Sequence, residues 1–444
     1  MLERKIEKEL MAWKRDSGRK PLIIRGARQV GKTSLIRKFG KEQYQDLVEI
    51  NLEKRDQWRV FDRVESVADV LKSISLMMGK RVEAGRTLLF IDEIQESRNV
   101  MELLRFFSEE RPDLHVITAG SLLEAKMGTG WIIPVGRVDY LNLYPLTFFE
   151  YLKARGKTEL VDELARITLG DEMPWADLAV KFYREYVLAG GMPEVVATYA
   201  KSQDFLGIKK VFSRLMTAYE DDIGRYARGS GEKKYLELVM EYAPRVAGGL
   251  FKYENFGESG YRSREIGEAV LRLEQVKLLT QVRAINSTQL PLIYKQKRAK
   301  KMIWLDTGIV NFVNNTYQEM VSGEYKGKIM EQIVGQTLIA GGTRRPVGLG
   351  YWARDRSEGS AEVDFCIQLR DRIVGMEVKS GNTREMKSLF SLVDSGLGKV
   401  IPVRVSWDKL GMEKYKYSGK EYDILSLPFY LLERWEEIVD AIQD

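Results

Sequence analysis

Near the start of the chain, Gly26-Ala27-Arg28-Gln29-Val30-Gly31-Lys32-Thr33 follows the pattern G-x-x-x-x-G-K-[ST] in full. Glycines at the two ends let a backbone wrap closely, so that successive N–H groups point at the oxygens of a phosphate chain. Lys32 supplies a point charge for β and γ phosphates, and the Thr33 hydroxyl can ligate magnesium. Ser34 opens the helical pattern that follows and extends the cofactor-binding stretch. Such a loop needs acids at the end of a neighbouring strand, and Leu88-Leu89-Phe90-Ile91-Asp92-Glu93 provides them. Asp92 is expected in the magnesium shell and Glu93 as the general base that polarises attacking water.

Two further positions bear on this site. Thr118 and Ser121 lie at the end of the next apolar run, where a polar side chain senses a γ phosphate or caps the following turn. Arg137 is a candidate nucleotide contact or arginine finger, with a structural ion pair as the alternative.

A second constellation sits late in the chain. Glu362-Val363-Asp364-Phe365-Cys366-Ile367 and Ile373-Val374-Gly375-Met376-Glu377-Val378-Lys379 each alternate polar and apolar residues, which reads as two strands. A two-residue turn at Arg370-Asp371 sets Asp364 opposite Glu377, with Lys379 on the same face. Like charges facing each other destabilise a strand pair unless something lies between them. A divalent metal would resolve that repulsion, with Glu331 from an earlier helix completing its shell. Lys379 would then neutralise charge developing on a phosphodiester. The alternatives are an exposed charged hairpin, or a nuclease fold that has lost its chemistry.

Between these sites, residues 262–301 hold ten Lys or Arg against three Glu, an excess larger than the +6 of the whole chain. A helix with apolar face Ile266, Ala269, Val270 and Leu273 is followed by two strand-like pieces and a basic tip. That order suggests a winged helix, with Arg262, Arg272, Lys297, Arg298, Lys300 and Lys301 as candidate DNA contacts. The alternative is a solvated basic face.

The elements that must position these groups follow from periodicity. Apolar runs at 22–24, 47–52, 87–91 and 114–119 alternate with amphipathic stretches, which argues a parallel sheet covered by helices. The predicted division is an ATP-binding core over 1–145, a helical lid over 146–225, a winged helix over 226–317 and a C-terminal α/β domain over 318–444. The 444 residues contain one cysteine, Cys366, and one histidine, His115. Zinc sites of the His/Cys type are thereby excluded, as are intrachain disulfides. No window approaches the ~20 apolar residues of a membrane helix, the N-terminus lacks the apolar core of a secretory signal, and a cytoplasmic location is expected.

As an ensemble the chain resembles a widespread prokaryotic family of AAA-type ATPases that carry a winged helix and a C-terminal PD-(D/E)XK nuclease-like domain. The resemblance rests on residues 26–33, 88–95 and Ala119-Gly120-Ser121, on Gly136-Arg137 and residues 144–150, and on Gly190-Gly191-Met192-Pro193-Glu194. Trp304-Leu305-Asp306-Thr307-Gly308, Glu362-Val363-Asp364-Phe365 and Glu377-Val378-Lys379 complete it. It implies an α/β P-loop NTPase core, with ATP and Mg2+ at Lys32, Thr33, Asp92 and Glu93. It also implies a nuclease-like metal site at Glu331, Asp364, Glu377 and Lys379. The expected partners are ATP or ADP and DNA, with a protein partner or another copy of the chain as further possibilities. The expected function is magnesium-dependent ATP hydrolysis acting on DNA. The alternative is a nucleotide-dependent switch that binds DNA or a protein and carries an inactive nuclease fold.

Overall fold

The computed structural model describes residues 2–121, 134, 136–227, 229–285, 287–316, 324–354, 361–381, 385–396 and 398–442. The chain folds as two compact units, one of Met1–Tyr144 with Gln275–Leu278 and Thr343–Arg345, the other of Pro145–Glu274, Leu279–Gly342 and Pro346–Asp444.

The first unit is a five-stranded parallel sheet. Strands β1 (Leu22–Arg25), β2 (Asp46–Asn51), β3 (Thr87–Asp92), β4 (His115–Gly120) and β5 (Asp139–Asn142) lie in the order β2-β3-β4-β1-β5. Every residue of β3 and β4 is buried, as expected of central strands covered on both faces. The helix Arg98–Glu110 buries Val100, Met101, Leu103, Leu104 and Phe107, one stripe at helical spacing, and begins at Ser97, whose hydroxyl accepts the Val100 N–H. His115 is packed edge-on between Trp13 and Tyr44, and burial pushes its imidazole down to about 4, so it is a neutral core residue.

The second unit begins with helices Phe148–Ala154, Thr158–Arg166, Ala176–Ala189, Pro193–Ser202, Phe205–Tyr226 and Ser230–Tyr242. Its remaining strands are β6 (Leu250–Phe251), β7 (Leu279–Ile285), β8 (Tyr294–Lys295), β9 (Lys300–Trp304), β10 (Leu349–Ala353), β11 (Glu362–Leu369), β12 (Arg372–Val378), β13 (Val400–Ser406), β14 (Gly411–Tyr417) and β15 (Lys420–Pro428). They form one ten-stranded mixed sheet in the order β14-β15-β13-β12-β11-β10-β7-β9-β6, with β8 paired to β7. The strands expected in a winged helix therefore continue into the C-terminal sheet, through the parallel pairing of β7 with β10. The early helices pack here too. Tyr183 stacks on Phe429, and the Arg434 guanidinium donates to the carbonyls of Leu164 (2.8 Å) and Ile167 (2.7 Å).

Two of the glycine-containing segments noted above meet inside this unit. The carboxylate of Asp306 accepts the N–H of Gly191 at 2.6 Å, and it caps the helix Thr307–Asn314 through the N–H groups of Gly308 (3.0 Å) and Ile309 (3.3 Å). A Cβ at Gly190 would lie 2.0 Å from Asp306 Oδ1, and one at Gly308 would lie 2.3 Å from the Ala189 carbonyl oxygen. These motifs thus build a close backbone crossing. Asp306→Ala removes a cap and strands a buried N–H, so it is expected to cost about 2–4 kcal/mol. Comparing the denaturant midpoints of Asp306→Ala, Asp306→Asn and the parent chain checks this; equal midpoints would refute it.

Candidate functional site

The loop after β1 takes conformations that favour glycine. Gly26 leaves the strand at φ +156°, and a Cβ there would lie 2.3 Å from the Leu143 carbonyl oxygen. Gly31, at φ 95°, turns the chain into the helix Lys32–Gln43, while Gln29 adopts φ 64° between them. Lys32 is buried, and its ammonium donates to the carbonyls of Gly26 (3.0 Å) and Ala27 (2.8 Å), so it lies over the loop. The Arg4 guanidinium braces the loop by donating to the carbonyls of Val30 (3.1 Å) and Tyr144 (2.6 Å). Nothing in the sequence singles Arg4 out, because it stands in a charged N-terminal run that reads as solvated.

Strand register brings the acids to the same edge. Arg25 pairs with Gly120 and Thr118 with Ile91, so the loop, Asp92 and the end of β4 are neighbours. The Thr33 hydroxyl donates to Asp92 Oδ2 at 2.9 Å. Burial pushes the Asp92 carboxyl up to about 6 against that bond, and the charge of Glu93 adds to the rise. Glu93 sits at φ 52° and accepts the side-chain amide of the buried Gln95. Ser121 is buried just beyond β4, and the buried Thr118 hydroxyl has no partner among the described residues.

Arg137 lies elsewhere. It precedes β5, whose first residue pairs with the first residue of β1, at the edge of the sheet opposite the phosphate loop. Its guanidinium is half exposed and pairs with Glu109 at 3.1 Å. The cofactor role expected for it is therefore not met within its own unit, and the ion-pair alternative is what the geometry contains.

A nucleoside triphosphate with magnesium fits the remaining groups. The loop amides and the start of a helix face the phosphate position, the ammonium lies over it, and a hydroxyl–carboxylate pair suits a divalent ion. Asp92 must be ionised to contribute to that shell. Its raised value predicts that magnesium-dependent ATP affinity weakens as pH falls through about 6, with the carboxylate form regained above it. Calorimetric titration from about pH 5 to about pH 8 would show the trend, and Asp92→Asn should flatten it. A parent profile as flat as that of the variant would refute this assignment.

The late constellation is assembled differently from the sequence expectation. The hairpin does turn at Arg370-Asp371, with Leu369 paired to Arg372 and Phe365 to Met376. Its acids, however, gather around a lysine. The Lys301 ammonium, from β9, is 1 % exposed and lies 2.5 Å from Glu331 Oε2, 3.0 Å from Asp364 Oδ1 and 3.9 Å from Glu362 Oε1. Glu331 is positioned by the helix Glu324–Ala340, where the neighbouring Gln332 amide bonds both the N–H and the carbonyl of Trp304 at 2.8 and 2.7 Å. The other oxygen of Asp364 accepts the Val378 N–H at 2.8 Å. Glu377 pairs with Lys379 at 2.9 Å, and its Oε2 has no partner among the described residues. One ammonium does not neutralise three carboxylates. Burial and Asp364 accordingly push the Glu331 carboxyl up to about 8 and that of Glu377 to about 7.

The expected metal set Glu331, Asp364 and Glu377 is engaged with ammonium groups in this structure. Two of its members face an ammonium and the third faces Lys379. Among the described residues no group of three His, Cys, Asp or Glu is placed to hold a metal ion. The DNA-contact set changes as well. Lys301 is buried in this cluster, and Arg272 is buried with Glu232 at 3.8 Å, so neither faces solvent. Arg262 and Lys297 are exposed, while Arg298 and Lys300 are half-buried.

A parallel sheet with this loop after its first strand and a buried acid ending a neighbouring strand defines a P-loop nucleotide-binding unit. Residues 18–152 match the family described as AAA domain, so the chain carries an AAA-type ATPase domain. Residues 180–319 and 326–429 match two families described only as domains of unknown function, DUF8612 and DUF4143. No curated protein matches the chain. Among solved structures it is similar to a Pyrococcus horikoshii signal transduction ATPase with a tetratricopeptide repeat sensor, at 15% identity over 76% of this chain and 45% of that one, with TM-score 0.28. This chain thus spans less than half of that protein. The Thermotoga maritima RuvB Holliday junction branch migration motor is 19% identical over 67% of this chain and 93% of that one, with TM-score 0.29. Among the described residues no helix is long and apolar enough to cross a membrane.

Proposed function

We propose that this chain hydrolyses ATP with magnesium and that its nucleotide state governs DNA binding by the second unit, whose nuclease-like centre holds DNA without cutting it. The observation that carries the ATPase part is the Thr33–Asp92 pair at 2.9 Å beside the Lys32 ammonium. Thr33 and Asp92 would hold magnesium, which when bound neutralises charge on the β and γ phosphates. Lys32 and the loop amides bind the phosphates. Glu93, held by the Gln95 amide, orients and polarises water.

The placement of Lys301 favours holding over cutting. A metal shell at Glu331 and Asp364 would require expelling an ammonium that bonds both carboxylates. A cleaving enzyme is the competing reading, supported by the proximity of Glu377 and Lys379 to those acids. The test incubates the full chain with ATP, magnesium and either supercoiled or linear DNA. ATP turnover with DNA retained and intact is the expected result. Absence of turnover removes the ATPase reading, and magnesium-dependent nicking removes the binding-only one.

A further inference from the structure

The second unit contains a cleft of about 910 Å³ between the turn after β6, the loop leading into β9, and strands β10 and β11. Its lining brings together Lys252, Lys297, Arg298 and Lys300 against Glu254 and Glu362. Exposed charges on this chain are commonly paired, as in Arg37 with Glu49 and Lys420 with Asp394. Lys252 and Lys297 are exposed and have no carboxylate partner among the described residues. Lys300 is half-buried and is held by an aromatic ring, not by an acid. Its ammonium lies 4.1 Å from the Tyr253 ring centroid and donates to that phenol oxygen. Burial and Arg283 lower the pKa of this lysine, so an arriving anion gains by neutralising it.

The cations come from two separate segments, Lys252 after β6 and Lys297, Arg298 and Lys300 leading into β9, which suits a ligand bearing several spaced charges better than one small anion. A concavity of this volume holds a ligand of drug-like size, which corresponds to a few linked nucleotides. Readers of duplex DNA present a protruding helix to the major groove. Here the helix Ser263–Gln275 has Arg272 buried and Arg264 paired with Glu268, while the unpaired lysines line the hollow beside it. Because Tyr253 is already covered by Lys300, phosphates carry the binding and base identity has little influence.

Glu362 completes the argument. It lines the cleft and also lies 3.9 Å from the Lys301 ammonium, so the cleft and the buried acidic cluster share a residue. We propose that this cleft binds the phosphate backbone of a single nucleic-acid strand and lays it beside the Lys301 centre. This inference rests on the DNA-binding reading above and specifies its ligand and location.

The experiment measures fluorescence anisotropy of the full chain with labelled single strands of DNA and of RNA of about 15 nucleotides, and with a blunt duplex, across a salt series. The expected result is that single strands bind more tightly than duplex. The Lys252→Glu/Lys297→Glu double variant should lose at least about tenfold in affinity, and its salt slope should flatten by roughly 1.4, for two lost contacts. Lys416→Glu, on β14 at the far end of the sheet, serves as the charge control and should bind like the parent. Circular dichroism confirms that each variant is folded. The DNA and RNA arms show which strand is preferred. Unchanged affinity and slope in the folded double variant overturn the cleft assignment, as does duplex binding tighter than the strand. In either case the broader DNA reading survives. Failure of the parent chain to bind strand or duplex overturns both.

Discussion

Replacing Lys32 with alanine is expected to reduce ATP hydrolysis by about 10²–10³-fold, the usual effect of removing one donor aimed at developing charge. ATP affinity should also fall. A charge-assisted hydrogen bond contributes about 1.5–3 kcal/mol, equivalent to roughly ten- to a hundredfold. The geometry gives this side chain few alternatives, because the buried ammonium already bonds the carbonyls of Gly26 and Ala27. Phosphate release by Lys32→Ala at saturating ATP, with binding followed by calorimetry, separates the two effects. Lys32→Arg is not expected to restore activity, since a planar guanidinium cannot act as a compact point charge in the same space. Parent-like turnover in Lys32→Ala would place hydrolysis at another site.

Lys301→Met should be the most destabilising single change in the second unit. Removing one partner from a buried ion cluster costs about 3–5 kcal/mol, because the opposing charges remain without compensation. Here Glu331, Asp364 and Glu362 would face one another across the vacated ammonium position. The penalty should depend on pH, and its sign can be worked out. The Glu331 carboxyl is raised to about 8 and that of Glu377 to about 7, against 4.5 for an ordinary glutamate. A carboxyl raised in the fold contributes stability that is fully present below its unfolded value and lost as pH rises through its folded value. Without the ammonium the carboxylates repel more strongly, so the variant should fall furthest behind the parent near pH 8 and recover part of the difference near pH 5. Denaturant titrations at both pH values test this. A difference below about 1 kcal/mol throughout would mean that Lys301 is not the counter-ion of the cluster.

The nucleotide site was largely legible in the sequence because its parts are short and local. Eight consecutive residues carry the loop, and two consecutive acids end a strand whose apolar run announces it. Backbone amides do most of the phosphate contact, and glycine spacing reports their geometry directly. The residues that hold these groups in place were not legible. Arg4 acts through hydrogen bonds to Val30 and Tyr144 and Gln95 through its amide on Glu93, and spacing marks neither. The choice between the two roles open to Arg137 was not legible either, because its neighbours in sequence say nothing about which edge of the sheet it occupies.

The basic segment shows the limit of counting charge. Lys300 and Lys301 are adjacent and identical, yet successive strand residues point to opposite faces. One therefore lies against Tyr253 beside the cleft, and the other is buried among carboxylates from the helix Glu324–Ala340 and from β11. By sequence both are equally candidates for DNA contact or for a solvated basic face. The sequence likewise offered no sign that β9 would deliver an ammonium to the acids of the carboxylate hairpin.

What the amino-acid sequence determined by itself was the phosphate loop, its paired acids and the alternation of strands and helices around them, since each depends on near neighbours and on backbone conformation. Tertiary structure decided which cations meet which anions. Those encounters link residues as far apart as Lys301 and Asp364, and their energies depend on burial and distance, neither of which is written in local spacing.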